Sequence, residues 1–96
     1  MTGRQMFRYV VPVDDQQHTF TLTCSPVAVA TADPFGTAVE FWAEHVDDPG
    51  IPRAFQVFGT GHPLPPDARW VGTCARTSGL VWHLYERYPV AADGAS

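Results

Sequence analysis

Turn-forming residues interrupt this chain at short intervals, and that spacing constrains its fold more than any other feature. Polar segments that contain glycine, proline or paired aspartates separate short apolar runs; they cover residues 14–17, 24–26, 33–36, 47–52, 59–67 and 76–79. No window has a clear 3.6-residue apolar period, so amphipathic helices are not indicated. A short helix over 65–69 is the one exception considered, and its prolines disfavour it.

The runs between these turns show the two-residue alternation of β-strands. Phe7, Tyr9 and Val11 share one face of the first run, and Pro12 predicts an edge strand there. The predicted strands cover residues 6–13, 18–23, 27–32, 37–46, 53–58, 69–74 and 80–87. The fold class is therefore all-β, with at most one short helix, as a small antiparallel barrel or sandwich of about six to seven strands. The three tryptophans are expected to fill its core, and stacking of a tryptophan together with an arginine on a base is the alternative.

Length and composition indicate one folded domain. The chain has 96 residues, of which 45% are hydrophobic and 17% charged, values typical of a globular protein. We expect a flexible N-terminus over residues 1–5, a single β domain over 6–88 and a disordered tail over 89–96.

The charge balance argues against general nucleic-acid binding. The net charge is −4, and all six cations are arginines, whereas phosphate neutralisation needs clustered cations. No signal peptide and no apolar run long enough to span a bilayer are visible. Cys24 and Cys74 lack metal or redox spacing, so a cytoplasmic protein with two reduced thiols and no membrane association is expected.

The segment Phe-Gly-Thr-Gly-His-Pro over residues 58–63 is the main candidate site. Gly59 and Gly61 can adopt positive φ, which lets backbone N–H groups converge on an anion. Thr60 adds a hydroxyl, and His62 adds an imidazole that strengthens anion binding when it is protonated. The alternative interpretation is a tight turn whose glycines satisfy only local sterics, since short glycine motifs occur by chance.

Other candidate ligand-binding residues lie outside this loop. Arg53 and Arg76 are candidates for a charged fork around an anion. His83 and Trp82 lie in the apolar strand near the C-terminus. The four histidines have no metal-ligand spacing, so neither a metal nor a cofactor is predicted, and no catalytic residue is marked.

Five short segments carry a resemblance to a known family. They are Phe-Arg-Tyr over 7–9, Phe-Trp-Ala over 41–43 with Val-Asp over 46–47, the loop over 58–63, Val-Gly-Thr over 71–73 and Val-Trp-His-Leu-Tyr-Glu over 81–86. The chain resembles, from Met6 to Glu86, a family of small phage and prophage proteins without an assigned activity. The chain departs from that family in lacking lysine and in its Cys-Ser-Pro break over 24–26. The resemblance implies a phage context, hence the host cytosol, and no mechanism.

Three functions remain open at this stage. The first is a non-enzymatic protein that captures an anionic small molecule such as a nucleotide, with counter-defence sequestration as the phage role. The second is an interaction module that inhibits or decorates a host or phage protein, in which the glycine loop is structural. The third, ranked last, is a hydrolase that uses His62 and His83. A homo-oligomer is compatible with each of them.

Overall fold

Seven β-strands form a sandwich of two antiparallel sheets in the computed structural model, which describes residues 3–33, 35–74 and 81–88. The strands are β1 (Gln5–Pro12), β2 (His18–Leu22), β3 (Pro26–Thr31), β4 (Ala38–His45), β5 (Ile51–Gly59), β6 (Ala68–Thr73) and β7 (Trp82–Arg87). No helix occurs in these ranges. The all-β class is confirmed, and the sandwich rather than a closed barrel is the form adopted.

The predicted strands agree with the observed ones to within two residues at each end that the structure describes. Residues 65–69, where a short helix was considered, form a turn and the start of β6 instead. The predicted turn over 76–79 and the predicted tail over 89–96 lie outside the described residues, as do residues 1–2 and Pro34.

The strand order is β1-β4-β3 in one sheet and β2-β5-β7-β6 in the other. Strand β1 is an edge strand, as Pro12 predicted. In the four-stranded sheet, β7 lies between β5 and β6 and is antiparallel to both. Strands β5 and β6 therefore run in the same direction, so the chain between them must return along the whole length of β7. Residues 60–67 make this return, and we call them the crossing segment.

The core lies between the two sheets and is built from phenylalanine and aliphatic side chains. Its largest members include Phe41 from the three-stranded sheet and Phe55 from the four-stranded sheet, with ring centroids 4.8 Å apart. The expectation that the tryptophans fill the core is wrong for Trp70, which is 62% exposed. Trp42 alternates with Phe41 and so lies on the outer face of its sheet, partly buried. Only Trp82 packs against the core, from its margin.

Both cysteines are free thiols. Cys74 is buried, and burial, together with the charge of Glu40, raises the pKa of its thiol to about 11. Such a thiol is almost entirely protonated and unreactive at neutral pH. Among the described strands and loops there is no helix that is long and apolar enough to cross a membrane.

The two sheets come into close contact where β6 passes β3. A Cβ atom added at Gly72 would lie 2.5 Å from Cγ2 of Val29. The register of β6 shifts between Trp70 and Gly72, which is the mark of a β-bulge. Glycine at position 72 is therefore required by the spacing of the sheets.

We predict that Gly72→Ala lowers the free energy of unfolding by about 1–3 kcal/mol, because the added methyl group overpacks the sheet interface. Urea denaturation measures this change. Gly3→Ala is the matched control, since a Cβ at Gly3 meets nothing within 4 Å. Adding Val29→Ala to Gly72→Ala should recover part of the loss. The double variant should therefore lose less stability than the sum of the losses of the two single variants. Equal losses for Gly72→Ala and Gly3→Ala would contradict the close contact.

Candidate functional site

The crossing segment encloses a pocket against the outer face of the four-stranded sheet. Val57 and Leu84 point into the core, so the alternating residues Phe58, His83 and Tyr85 point outward beneath the crossing segment. The rings of Phe58 and Tyr85 meet edge to face at 5.5 Å and form the floor. This turn pocket has a volume of about 140 Å³ and is lined by Phe58, Gly59, Thr60, Gly61, His62, Leu64, His83 and Tyr85.

A hydrogen-bonded turn over residues 59–62 connects the end of β5 to the crossing segment. The N–H of His62 donates to the carbonyl oxygen of Gly59 at 3.2 Å. Gly61, the third residue of the turn, has a φ of 87°, a value that a side-chain-bearing residue adopts only with strain. Gly61 is therefore needed for its backbone conformation, since the space around it is open.

Gly59 is needed for a different reason. A Cβ atom there would lie 3.1 Å from Cε1 of His62 and 3.2 Å from Cζ3 of Trp82. The missing side chain lets the imidazole fold back over the end of β5 towards the indole of Trp82. Sterics thus account for both glycines. The same packing holds the His62 ring at the edge of the turn pocket.

The turn keeps part of the anion-binding capacity that its sequence predicts. The His62 N–H is used to close the turn and is not available to a ligand. Within the ranges that the structure describes, the N–H groups of Thr60 and Gly61 make no backbone hydrogen bond in a turn or loop. Both residues are exposed, so these two donors are accessible to a bound group.

A chain of side-chain hydrogen bonds runs through His83 to the turn. Nε1 of Trp70 donates to Oγ1 of Thr73 at 2.9 Å, and Oγ1 of Thr73 lies 2.9 Å from Nδ1 of His83. Nε2 of His83 lies 2.7 Å from Oγ1 of Thr60. We call these four side chains the His83 chain. It fixes the imidazole plane at one wall of the turn pocket, because both ring nitrogens have a partner.

The direction of the bonds at Thr60 depends on the protonation of His83. If Nδ1 carries the proton of a neutral ring, the Thr60 hydroxyl donates to Nε2. If Nε2 carries a proton, as it also does in the cationic ring, Thr60 accepts and its own hydroxyl proton is free for a ligand. Whenever Nε2 carries a proton, the Thr60 hydroxyl can therefore donate towards the turn pocket.

The structure brings together most of the predicted site residues. Gly59, Thr60, Gly61, His62 and His83 all line the turn pocket. Trp82 packs behind Gly59, and its indole N–H is buried without a partner among the described residues.

The predicted charged fork is not part of this arrangement. Arg53 precedes Gly59 by six positions on β5, which corresponds to roughly 20 Å along a strand. Arg53 is bonded to Glu86 at 2.7 Å. Arg76 lies outside the described residues.

Sequence reasoning missed Trp70 and Thr73 as members of the site. The pairing of Thr73 with His83 follows from the β6–β7 register, which the bulge between Trp70 and Gly72 shifts by one residue. A bulge cannot be placed from alternation alone, because it breaks the alternation. The described residues contain no group of three or more histidine, cysteine or acidic side chains that could hold a metal ion.

The far end of the crossing segment is tied to β7 by an ion pair. Arg87 donates to both oxygens of Asp67, at 2.8 and 3.1 Å, and the N–H of Tyr88 donates to the same carboxylate at 3.0 Å. The hydrogen bond from Arg87 is the main cause that lowers the pKa of Asp67. Asp67 and the turn over 59–62 thus hold the crossing segment over β7 at its two ends.

The turn pocket lies within a region that a known family covers. A family model described as "Domain of unknown function (DUF7352)" matches residues 2–94. No curated protein and no solved structure matches the chain significantly. No activity is therefore carried over from a relative, and the site has to be interpreted from its own chemistry.

We predict that Thr60→Val and Thr73→Val each lower the free energy of unfolding by about 0.5–1.5 kcal/mol, because each removes one hydrogen-bond partner of His83. Thr19→Val is the control, an exposed threonine on β2 of the same sheet. The double variant should depart from additivity by about 0.5 kcal/mol or more, since both hydroxyls bond one ring. Additive losses no larger than the control's would show that the His83 chain contributes nothing to stability.

We predict that acid weakens the anchor of the crossing segment. The folded-state pKa of Asp67 lies below its ordinary value of 3.8, so its contribution is present above that value and is lost as pH falls through the folded pKa. Asp67→Asn should therefore melt at a lower temperature than the wild type at pH 7, with a difference that shrinks towards pH 3. Thermal unfolding across this range measures both effects. A difference that is independent of pH would exclude an ionic anchor.

Proposed function

The chain belongs to the DUF7352 family, whose function is unknown, and we propose that its turn pocket captures a small anionic molecule with a planar ring, such as a nucleotide, without transforming it. The observation that carries this proposal is the combination of an aromatic floor with a rim of hydrogen-bond donors in one concavity. Small-molecule sites typically combine an apolar lining with a few placed polar groups in this way.

The floor suits a planar ring. Phe58 and Tyr85 present aromatic surface, and Leu64 of the crossing segment adds an apolar wall. A volume of about 140 Å³ is small beside the roughly 300–1,000 Å³ of pockets that enclose drug-sized ligands. The turn pocket would therefore hold one fragment of the ligand, and the remainder would extend over the exposed turn.

The rim suits an anionic group. Among the residues that the structure describes, no aspartate or glutamate lines the turn pocket, although the protein carries a net charge of −4. The available donors are the N–H groups of Thr60 and Gly61, the Thr60 hydroxyl and the two histidines. Protonation of His62 or His83 adds a positive charge, so anion affinity should increase at acidic pH. Because the turn is already closed before binding, less conformational entropy is lost when the ligand binds.

A phage context gives such capture a biological role. The sequence resembles small phage and prophage proteins, and sequestration of a nucleotide signal inside the host would be a counter-defence activity. This role is an analogy with other small phage proteins and extends the proposal beyond the geometry.

The short contact between Thr60 and His83 favours one second candidate, a hydrolase with Thr60 as the nucleophile. Oγ1 of Thr60 lies within hydrogen-bond distance of Nε2 of His83, as in a nucleophile–base pair. The other nitrogen of His83, however, bonds the neutral hydroxyl of Thr73. A carboxylate at that position would stabilise the imidazolium that forms during catalysis, as in serine hydrolases. Thr73 cannot do so, and binding is therefore the preferred function.

We predict that a thermal-shift screen of nucleotides identifies a ligand and that His62→Ala weakens its binding by about 1.5–3 kcal/mol, the value of a charge-assisted hydrogen bond. Calorimetric titration at pH 5.5 and 7.5 measures the affinity, which should be higher at the lower pH. His45→Ala is the matched control, since His45 stacks on Phe7 in the other sheet at 5.0 Å.

If His62→Ala binds the ligand as tightly as the wild type does, the turn pocket is not the binding site. The interpretation as an interaction module would then replace the proposal. Chromatography of the ligand recovered after incubation distinguishes capture, which leaves the ligand unchanged, from catalysis, which converts it to a product. A hydrolysed product that depends on Thr60 would establish the hydrolase instead.

A further inference from the structure

A second concavity lies on the opposite side of β7, between the two sheets. It has a volume of about 230 Å³, and its lining includes Ser25, Arg53, Arg69, Trp70, Glu86 and Tyr88. We call it the arginine cleft. Glu86 alternates with Tyr85 along β7, so the arginine cleft and the turn pocket open on different faces of the same strand.

The carboxylate in the arginine cleft is already neutralised. Nε and one terminal nitrogen of Arg53 each donate to an oxygen of Glu86 at 2.7 Å, and the Tyr88 hydroxyl donates to Glu86 at 3.0 Å. Glu86 is 4% exposed. Burial raises the pKa of Glu86, but the hydrogen bonds from Arg53 and Tyr88 outweigh it and lower the pKa overall. Glu86 is therefore ionised at neutral pH, and its charge is balanced by that of Arg53.

Arg69 adds a second positive charge to the arginine cleft. It lies directly opposite Glu86 in the β6–β7 ladder, and its guanidinium carbon is 5.0 Å from the centre of the Tyr88 ring. The other arginines that the structure describes are all in ion pairs with a carboxylate: Arg4 with Glu44, Arg8 with Glu40, Arg53 with Glu86, and Arg87 with Asp67. Within the described ranges, Arg69 is the one arginine without such a partner. The arginine cleft therefore has a net positive charge in a protein that is negative overall.

The free donors have the geometry that oxyanions require. Arg53 bonds Glu86 and Ser25 and still has N–H groups to spare, and Arg69 has its whole planar fork available. Guanidinium forks bind phosphate and carboxylate groups through paired hydrogen bonds. The stacking of Arg69 on Tyr88 restrains its fork before a ligand arrives.

The indole of Trp70 does not face the arginine cleft, although the residue borders it. Trp70 pairs with Tyr85, and its indole N–H donates to Thr73, so its side chain lies with His83 on the outer face of the sheet. The arginine cleft therefore offers a ligand charged donors rather than an indole surface.

We propose that the arginine cleft is a second ligand site, which binds a small oxyanion of the phosphate class on Arg69 and Arg53. This inference is independent of the turn pocket, because none of its residues lines that pocket. Binding requires no chemical step, since the phosphate enters and leaves unchanged.

The test uses phenyl phosphate and inorganic phosphate as probes of the full chain, with affinities from calorimetric titration at low salt. Phenyl phosphate and inorganic phosphate should bind with similar affinities, because both present the same phosphate oxygens to Arg69 and Arg53. Arg69→Gln should weaken phenyl phosphate at least tenfold, and Arg69→Lys should recover part of the loss, since lysine restores the charge without the fork. Trp70→Leu should leave both affinities unchanged, because the indole lies on the other face of the sheet.

Arg8→Gln is the matched control, because Arg8 lies on the other sheet in an exposed ion pair, and it should leave the affinity unchanged. Thermal unfolding of each variant verifies that it folds, and Arg69→Lys serves in place of Arg69→Gln if the latter unfolds. Equal affinity of the wild type and Arg69→Gln, or no phosphate binding by the wild type, would overturn the proposal.

The two sites can be told apart with one more variant. His62→Ala should leave phenyl phosphate binding intact, whereas Arg69→Gln should leave intact the binding of any nucleotide that depends on His62. If phenyl phosphate binding is lost in His62→Ala and kept in Arg69→Gln, the phosphate occupies the turn pocket and the arginine cleft is not a site.

Discussion

The position of β7 between β5 and β6 is the constraint on which the rest of the structure depends. Because β5 and β6 run in the same direction, their connection has to return along β7 and cover one of its faces. Prolines at 63, 65 and 66 keep this connection extended, which suits a segment that must cover distance and cannot become helical. The proline cluster and the turn before it therefore both serve to connect β5 to β6 across β7.

The alternation of β7 distributes function between the two faces of the sheet. His83, Tyr85 and Arg87 point outward, to the wall and floor of the turn pocket and to the anchor of the crossing segment. Leu84 and Glu86 point inward, to the core and to the arginine cleft. A one-residue slip of this strand would exchange the two sets, so its register is strongly specified.

The sequence was a good guide to the strands and a poor guide to their contacts. Alternation and turn residues are local, and they located all seven strands with no information about pairing. The Thr60–His83–Thr73 arrangement is not local, because it needs the order of the strands and a bulge in β6. Arg53 was predicted to bind an anionic ligand, and the structure pairs it with Glu86, thirty-three positions away. Trp70 was predicted to lie in the core because aromatic residues are usually buried. In the structure it is on the outward-facing side of β6 and is therefore exposed.

The contact between Gly72 and Val29 also fixes the order in which these positions can change during evolution. A side chain at 72 has no room while valine occupies 29, but a smaller residue at 29 first would create the space that a later substitution at 72 can fill. The effect of the second change thus depends on the first, as expected for residues in contact. Descendants of this sequence that first carry a smaller residue at 29 can then accept an alanine at 72, whereas an alanine at 72 before that change overpacks the sheet interface.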